Sequence, residues 1–196
     1  DLEPGGDGSF PADFRTVGSR VVFTASTSAA GFEPFATDGT SPGTTLLDDI
    51  QPGGQGSNAQ MIGVVGGKLV MTVAPSPTDR ELWVSDGTPL GTLPLLDPTP
   101  APQTRSRPEE LYDSFGTLIF RADDGVHGRE PWVSEGSAAT TELVLDIEPG
   151  ANGSDPREFT IAGTRLFFSA NGTEGEELWK KTIGGAVLVE DINPGT

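Results

Sequence analysis

Short apolar runs recur along the whole chain, each bounded by glycine, proline or an acidic turn. RVVFTA begins at Arg20, KLVMTV at Lys68, TLIFRA at Thr117 and RLFFSA at Arg165. Each is too short for a helix and rich in β-branched or aromatic residues, so it predicts a strand. A second run carrying an aromatic follows each one: FEPFATDGT from Phe32, RELWVSDGT from Arg80, REPWVSEGS from Arg129 and EELWKKTIGG from Glu176. Helical periodicity is absent, because Gly and Pro interrupt every window long enough to hold a helix.

The runs belong to one repeat. Its opening aspartate stands at Asp1, Asp49, Asp97 and Asp146, and a fifth motif starts at Asp191, giving steps of 48, 48, 49 and 45 residues. The copies are 1–48, 49–96, 97–145 and 146–190, with 191–196 beginning the next. Each opens with a Pro-rich loop (DLEPGGDGS, DIQPGGQGS, DPTPAPQTRS, DIEPGANGS) that ends in Ser9, Ser57, Ser106 or Ser154. Four strands per copy are expected, in copy one around Phe14, at Val21 to Ala25, at Glu33 to Thr37 and at Thr44 to Asp48. The Asp-Gly after the third strand is a hairpin signal, since glycine accepts positive φ. Four antiparallel strands joined by short turns make a propeller blade, and blades bury their faces against one another. The expected fold is therefore all-β, a single β-propeller domain over 1–196 with four blades of four antiparallel strands. Half of a larger ring closed by homodimerisation, a β-sandwich pair and an open array are the alternatives.

Charge narrows the partners. Acidic residues number 29 against 12 basic, a formal net charge of −17, which repels phosphate backbones and argues against nucleic acid. The chain has no cysteine, hence no disulfide or thiolate metal site. No apolar run approaches the roughly 20 residues of a membrane-spanning helix, so no membrane insertion is expected.

Copy two reads Glu81, Leu82, Trp83, then Asp86, Gly87, Thr88, Gly91 and Thr92. It resembles the ELWxxDGT repeat of large secreted or surface bacterial proteins. Copy one keeps Glu33, Asp38, Gly39, Thr40, Gly43 and Thr44, with Pro34 and Phe35 for Leu-Trp. Copy three has Glu130, Pro131, Trp132, Glu135, Gly136 and Ser137; copy four keeps Glu177, Leu178 and Trp179 and loses the Asp-Gly-Thr turn. The resemblance implies a propeller-like fold and a secreted or cell-surface setting, and it brings no biochemical activity with it.

Phe35, Trp83, Trp132 and Trp179 occupy one place in every copy, mid-strand beside apolar neighbours, and are read as blade packing rather than exposed stacking platforms. The glutamate before them (Glu33, Glu81, Glu130, Glu177) is read as an acceptor for backbone N–H groups of a neighbouring loop. Symmetry-related carboxylates share one environment, whereas paired acid–base catalysis needs two distinct ones. No enzyme is therefore expected. For metal, the richest oxygen set is Asp123, Asp124 and Glu130 in DDGVHGRE, a candidate Ca²⁺ site set against a plain glycine-shaped connector. His127, the one histidine, reads as an exposed loop residue. No other cofactor is expected. Variable loops on a constant scaffold suit recognition of a protein or glycan ligand. The competing use is a structural repeat or assembly unit of a larger secreted protein, including a homo-oligomer. The degenerate copies, three and four, are where an acquired site is sought.

Overall fold

The computed structural model describes residues 2–5, 7–76, 79–96, 106–114 and 116–192. Among them the chain forms sixteen strands in four antiparallel sheets of four. The first sheet runs β1 (Ala12–Val17), β2 (Arg20–Thr27), β3 (Gly31–Thr37) and β4 (Thr45–Leu46). The second has β5 (Gln60–Val65), β6 (Lys68–Ser76), β7 (Asp79–Ser85) and β8 (Leu93–Leu96). The third has β9 (Glu109–Ser114), β10 (Thr117–Asp123), β11 (Arg129–Ser134) and β12 (Glu142–Leu143). The fourth has β13 (Arg157–Ala162), β14 (Arg165–Gly172), β15 (Gly175–Thr182) and β16 (Gly185–Glu190). Within every sheet the strands neighbour one another in chain order, the meander that short hairpins dictate.

The repeat serine opens each blade. The carbonyls of Ser9, Ser57, Ser106 and Ser154 accept from the N–H of Ser26, Ala74, Asp123 and Asn171, at 2.7, 2.8, 2.9 and 2.8 Å. The residue after each serine (Phe10, Asn58, Arg107, Asp155) has a left-handed φ of 47°, 50°, 39° and 48°. None is glycine, so the turn is held by its surroundings and not by residue type. A register shift in the first hairpin of every blade follows that turn.

The chain divides into two compact units, Asp1–Leu96 and Asp97–Thr196, each holding two blades. In the first unit the core lies between its blades: Val22 and Ala36 of blade one pack with Met61, Leu69 and Met71 of blade two. In the second, Ile119 and Val133 of blade three pack with Phe159, Leu166 and Phe168 of blade four. Full burial of a side chain of this size stabilises by about 1.5–3 kcal/mol. Such inter-blade packing is what makes two adjacent sheets one unit.

Candidate functional site

The Asp-Gly-Thr turn explains its own sequence. Asp38 Oδ1 accepts from Thr40 N–H (2.9 Å) and the Thr40 hydroxyl (2.7 Å); Asp86 does the same with Thr88 at 2.9 and 2.6 Å. The hydroxyls of Thr40 and Thr88 in turn accept from the N–H of Gly43 and Gly91 at 3.0 and 3.1 Å. A Cβ on Gly43 or Gly91 would fall inside the aspartate carboxyl group, which is why the second glycine accompanies the aspartate. The hydrogen bonds from Thr40 hold the Asp38 carboxyl below its ordinary range. In copy three Glu135 replaces the aspartate and Thr140 the glycine. There the Thr140 hydroxyl bonds the Ser137 hydroxyl (2.8 Å) and accepts from Glu135 N–H (3.3 Å).

The repeated glutamates grip loops. Glu33 is fully buried; it accepts from Gln51 N–H at 3.0 Å and from the Ser57 hydroxyl at 2.6 Å. Glu130, equally buried, accepts from Glu148 N–H (3.2 Å), Ser154 N–H (2.8 Å) and the Ser154 hydroxyl (2.5 Å). Burial raises the pKa of both, while the loop hydrogen bonds pull the other way; Asp49 adds a like charge near Glu33. The grip also needs two glycines. A Cβ on Gly31 would lie 2.5 Å from Gly56 N, and one on Gly128 would lie 2.5 Å from Gly153 N. Glu177 accepts from Ile192 N–H at 3.2 Å, and Glu81 from its own blade's Trp83 Nε1–H at 3.2 Å.

The calcium site expected at Asp123, Asp124 and Glu130 is not assembled. Asp124 turns onto its own loop, taking the N–H of Val126 and of His127 at 2.9 Å each and the His127 Nδ1–H at 2.7 Å. Asp123 accepts from Gly125 N–H at 2.7 Å, and Glu130 is committed to the loop at Ser154. Among the described residues no three Asp, Glu or His side chains gather as metal ligands. Sequence spacing gave the carboxylates but not the direction of their oxygens. His127 likewise departs from the exposed reading: it is half-buried and paired. Its hydrogen bond to Asp124 raises its pKa; Asp124 is held low because its hydrogen bonds to His127 and Val126 outweigh burial.

The periodic aromatics lie in the packing. Phe35 stacks on Phe23 with ring centroids 6.0 Å apart, and Trp132 is buried. Trp83 and Trp179 lean half-buried on the cores of their units. Trp179 Nε1–H donates to the Ala170 carbonyl at 3.2 Å.

Among the described residues a cavity able to receive a ligand lies in the second unit, beside the place where copy four has lost its turn. Thr182 and Gly185 end the flanking strands, and only Ile183 and Gly184 stand between them. Gly185 has φ +132°, and a Cβ there would lie 2.9 Å from the Val144 carbonyl, so the hairpin sits close against blade three. Next to it is a groove of about 570 Å³, within the range of small-ligand sites. Ile119, Ile161 and Leu166 give it an apolar lining, Thr117 a hydroxyl, and Lys181 and Ile183 stand at its edge. A smaller cavity, lined also by Val133, Leu143 and Gly185, shares Lys181 and Ile183. Ile183 is fully exposed, and the Lys181 ammonium has no ion pair or hydrogen bond among the described residues. The lost turn was legible in the sequence. The groove was not, because Ile119 and Ile161 meet only once blades three and four pack.

Among solved structures the chain is similar to the β-propeller domain of the trilobed protease from Pyrococcus furiosus, with a TM-score of 0.50 at 11% identity. The match covers 96% of this chain and 57% of that one. The four sheets are propeller blades. The acylaminoacyl peptidase of Pyrococcus horikoshii is similar to the same degree (TM-score 0.50, 14% identity), over 94% of this chain and 27% of that one. The chain thus spans little more than half of one solved chain and about a quarter of the other, and at such identity the likeness shows the fold alone. No family model matches the chain, and no curated protein matches it.

Proposed function

We propose that this propeller is a secreted or cell-surface recognition module that binds a protein segment in the groove beside Lys181. The observation that carries the reading is the pairing of an aliphatic lining with one unpartnered lysine in a strongly acidic chain. A peptide presenting an aliphatic side chain next to a carboxylate fits that chemistry. A glycan would be better served by an aromatic platform, and the repeat aromatics are taken up in packing. Binding is favoured over catalysis because Glu33 and Glu130, the repeated carboxylates, are occupied as loop acceptors. The secreted setting rests on the resemblance to the ELWxxDGT repeat.

The test is a peptide array read in parallel with a glycan array, using the wild-type chain, Lys181→Glu and Ile183→Asp. Peptides with the aliphatic–acidic pair should bind the wild type and lose at least about tenfold in affinity in each variant, equivalent to roughly 1.4 kcal/mol. Groove-dependent glycan binders without peptide binders would overturn the protein-ligand reading.

A second reading is an assembly unit of a larger secreted protein. It is favoured by the same glutamate–serine grip recurring between successive repeats, as at Glu33–Ser57 and Glu130–Ser154.

A further inference from the structure

The smaller cavity that shares Lys181 and Ile183 with the groove differs from it in chemistry. It holds about 280 Å³, half the volume of the groove. Blade three lines it with Glu142, Leu143 and Val144, and blade four with Gly185 as well as the two shared residues. One proline decides what these residues offer.

Pro131 is the third residue of β11. Trp132 pairs with Leu143 and Val133 with Glu142, so the next rung sets Pro131 against Val144. Val144 N–H donates to the Pro131 carbonyl at 2.8 Å. An antiparallel rung of this kind returns a second bond from the N–H of the opposite residue, and proline has no N–H to give. The Val144 carbonyl is left without its ladder donor and accepts no other hydrogen bond among the described residues. It lies against Gly185, where a Cβ would come within 2.9 Å of it. A carbonyl in that state takes a donor from whatever fills the cavity.

Glu142 gives the cavity a charge. It is exposed, and its carboxylate has no ion pair or hydrogen bond among the described residues. Lys181 lines the same cavity, yet the two are not joined as an ion pair. A carboxylate and an orphan carbonyl together suit a cation with several N–H donors, an ammonium or a guanidinium. The Lys181 ammonium stays with the ligand carboxylate that the groove reading gives it. The charge of the whole chain points the same way. At a formal −17 the protein repels a ligand whose only charge is negative, and one lysine offsets that only at close range. A segment that also carries a base is no longer repelled.

We propose that the segment bound in the groove carries a lysine or arginine beside its aliphatic–acidic pair, and that this base enters the smaller cavity to meet Glu142 and the Val144 carbonyl. Glu142 is then a specificity-determining residue. The inference rests on the groove reading and names the kind of segment that the groove takes.

Fluorescence polarisation with two sets of capped peptides tests it, all with leucine next to aspartate. One set has arginine within two residues of that pair, on either side; the other has glutamine in its place. The wild type should bind the best arginine peptide about fivefold tighter than its glutamine counterpart, the ratio expected of one exposed ion pair. Glu142→Gln should bring that ratio to within about twofold, and Glu142→Lys should invert it. Both variants should keep the wild-type melting temperature, because the Glu142 carboxylate has no partner to lose among the described residues. Arginine and glutamine peptides bound alike by the wild type would overturn the base subsite; the groove reading would stand as long as Lys181→Glu weakens both. A preference for arginine that survives both Glu142 variants would overturn the subsite too. Failure of every peptide to bind would overturn the groove reading and this inference with it.

Discussion

At the start of β3 and of β11 a glycine in the left-handed region meets a second glycine from the loop that follows; at the start of β7 the same place is Asp79. In sequence, the loop of copy three has Arg105 where the other loops have glycine. The carboxylates differ in step. Glu33 and Glu130 hold loop N–H and serine hydroxyl groups, whereas Glu81 accepts from Trp83 Nε1 of its own strand. Ser106, the serine of copy three, is buried with its hydroxyl unpartnered among the described residues. The repeat glutamate is therefore not structural by its position alone. Among the described residues it holds a loop serine at the two places where paired glycines bring a loop backbone close, Glu33 and Glu130, whereas Glu81 takes the indole N–H of its own strand.

Removing the carboxylate should break that comparison most strongly. Glu130→Ala strands the Ser154 N–H, the Ser154 hydroxyl and the Glu148 N–H in a buried place, so it should cost about 2–5 kcal/mol. Glu81→Ala frees one indole N–H of a half-buried tryptophan and should cost under about 1 kcal/mol. Urea unfolding midpoints at constant m-value measure both. Equal losses would show that the two glutamates do the same job, against the geometry.

The strands and the Asp-Gly-Thr turn were legible because they are local. A short apolar run defines β2, and Asp38, Thr40 and Gly43 lie within one turn, so spacing suffices to place them. The expected limits of the second strand, Val21 to Ala25, widen only to Arg20–Thr27. The fourth strand is shorter than expected, Thr45–Leu46, although Leu47 N–H still reaches the Pro34 carbonyl at 2.9 Å. Three things could not be read. The left-handed residue after each serine is Phe10, Asn58, Arg107 or Asp155, four side chains with nothing in common but their place. The pairing of Gly31 with Gly56 joins residues 25 apart, and either glycine alone looks like any turn. The Asp155 cluster unites Arg121 of blade three, at 3.0 Å, with Arg157 of blade four across 36 residues of sequence. In each case the information is in long-range contact, which a periodic sequence repeats without displaying.

The turn offers a second contrast, of intermediate size. Gly91→Ala would put a methyl group where the Asp86 carboxyl lies and break its bonds to Thr88; the expected cost is about 1–3 kcal/mol. Thr140→Gly makes copy three resemble the others in sequence yet removes the hydroxyl that serves Ser137 and Glu135. It should not stabilise, and a small loss of about 0.5–1 kcal/mol is expected. Thermal unfolding of the pair decides whether the glycine belongs to the turn or to its aspartate. A stabilised Thr140→Gly would favour the turn.

The smallest effect separates the two loops that leave the second strand in blades one and three. Thr27 caps the first with one neutral hydrogen bond, to Ala30 N–H at 3.1 Å, and the loop from Thr27 to Ala30 holds no histidine. The other is closed by Asp124 and His127. His127 is easier to protonate in the folded chain, chiefly through its bond to Asp124, so its contribution is full below the unfolded histidine pKa. It fades as pH rises through the raised folded value. Asp124 has the opposite course: its contribution is full above the unfolded carboxylate value and fades as pH falls through its lowered folded value. The pair is strongest in the mildly acidic window between those limits. A third of the His127 side chain faces solvent, so screening keeps the effect under about 1 kcal/mol. Amide exchange at Val126 and His127, corrected for intrinsic rates, should slow in that window and quicken above it, while Ala30 shows no such dependence. His127→Gln should flatten the alkaline limb and leave the acidic one, because the Asp124 bonds to Val126 N–H and to the residue 127 N–H do not need the imidazole.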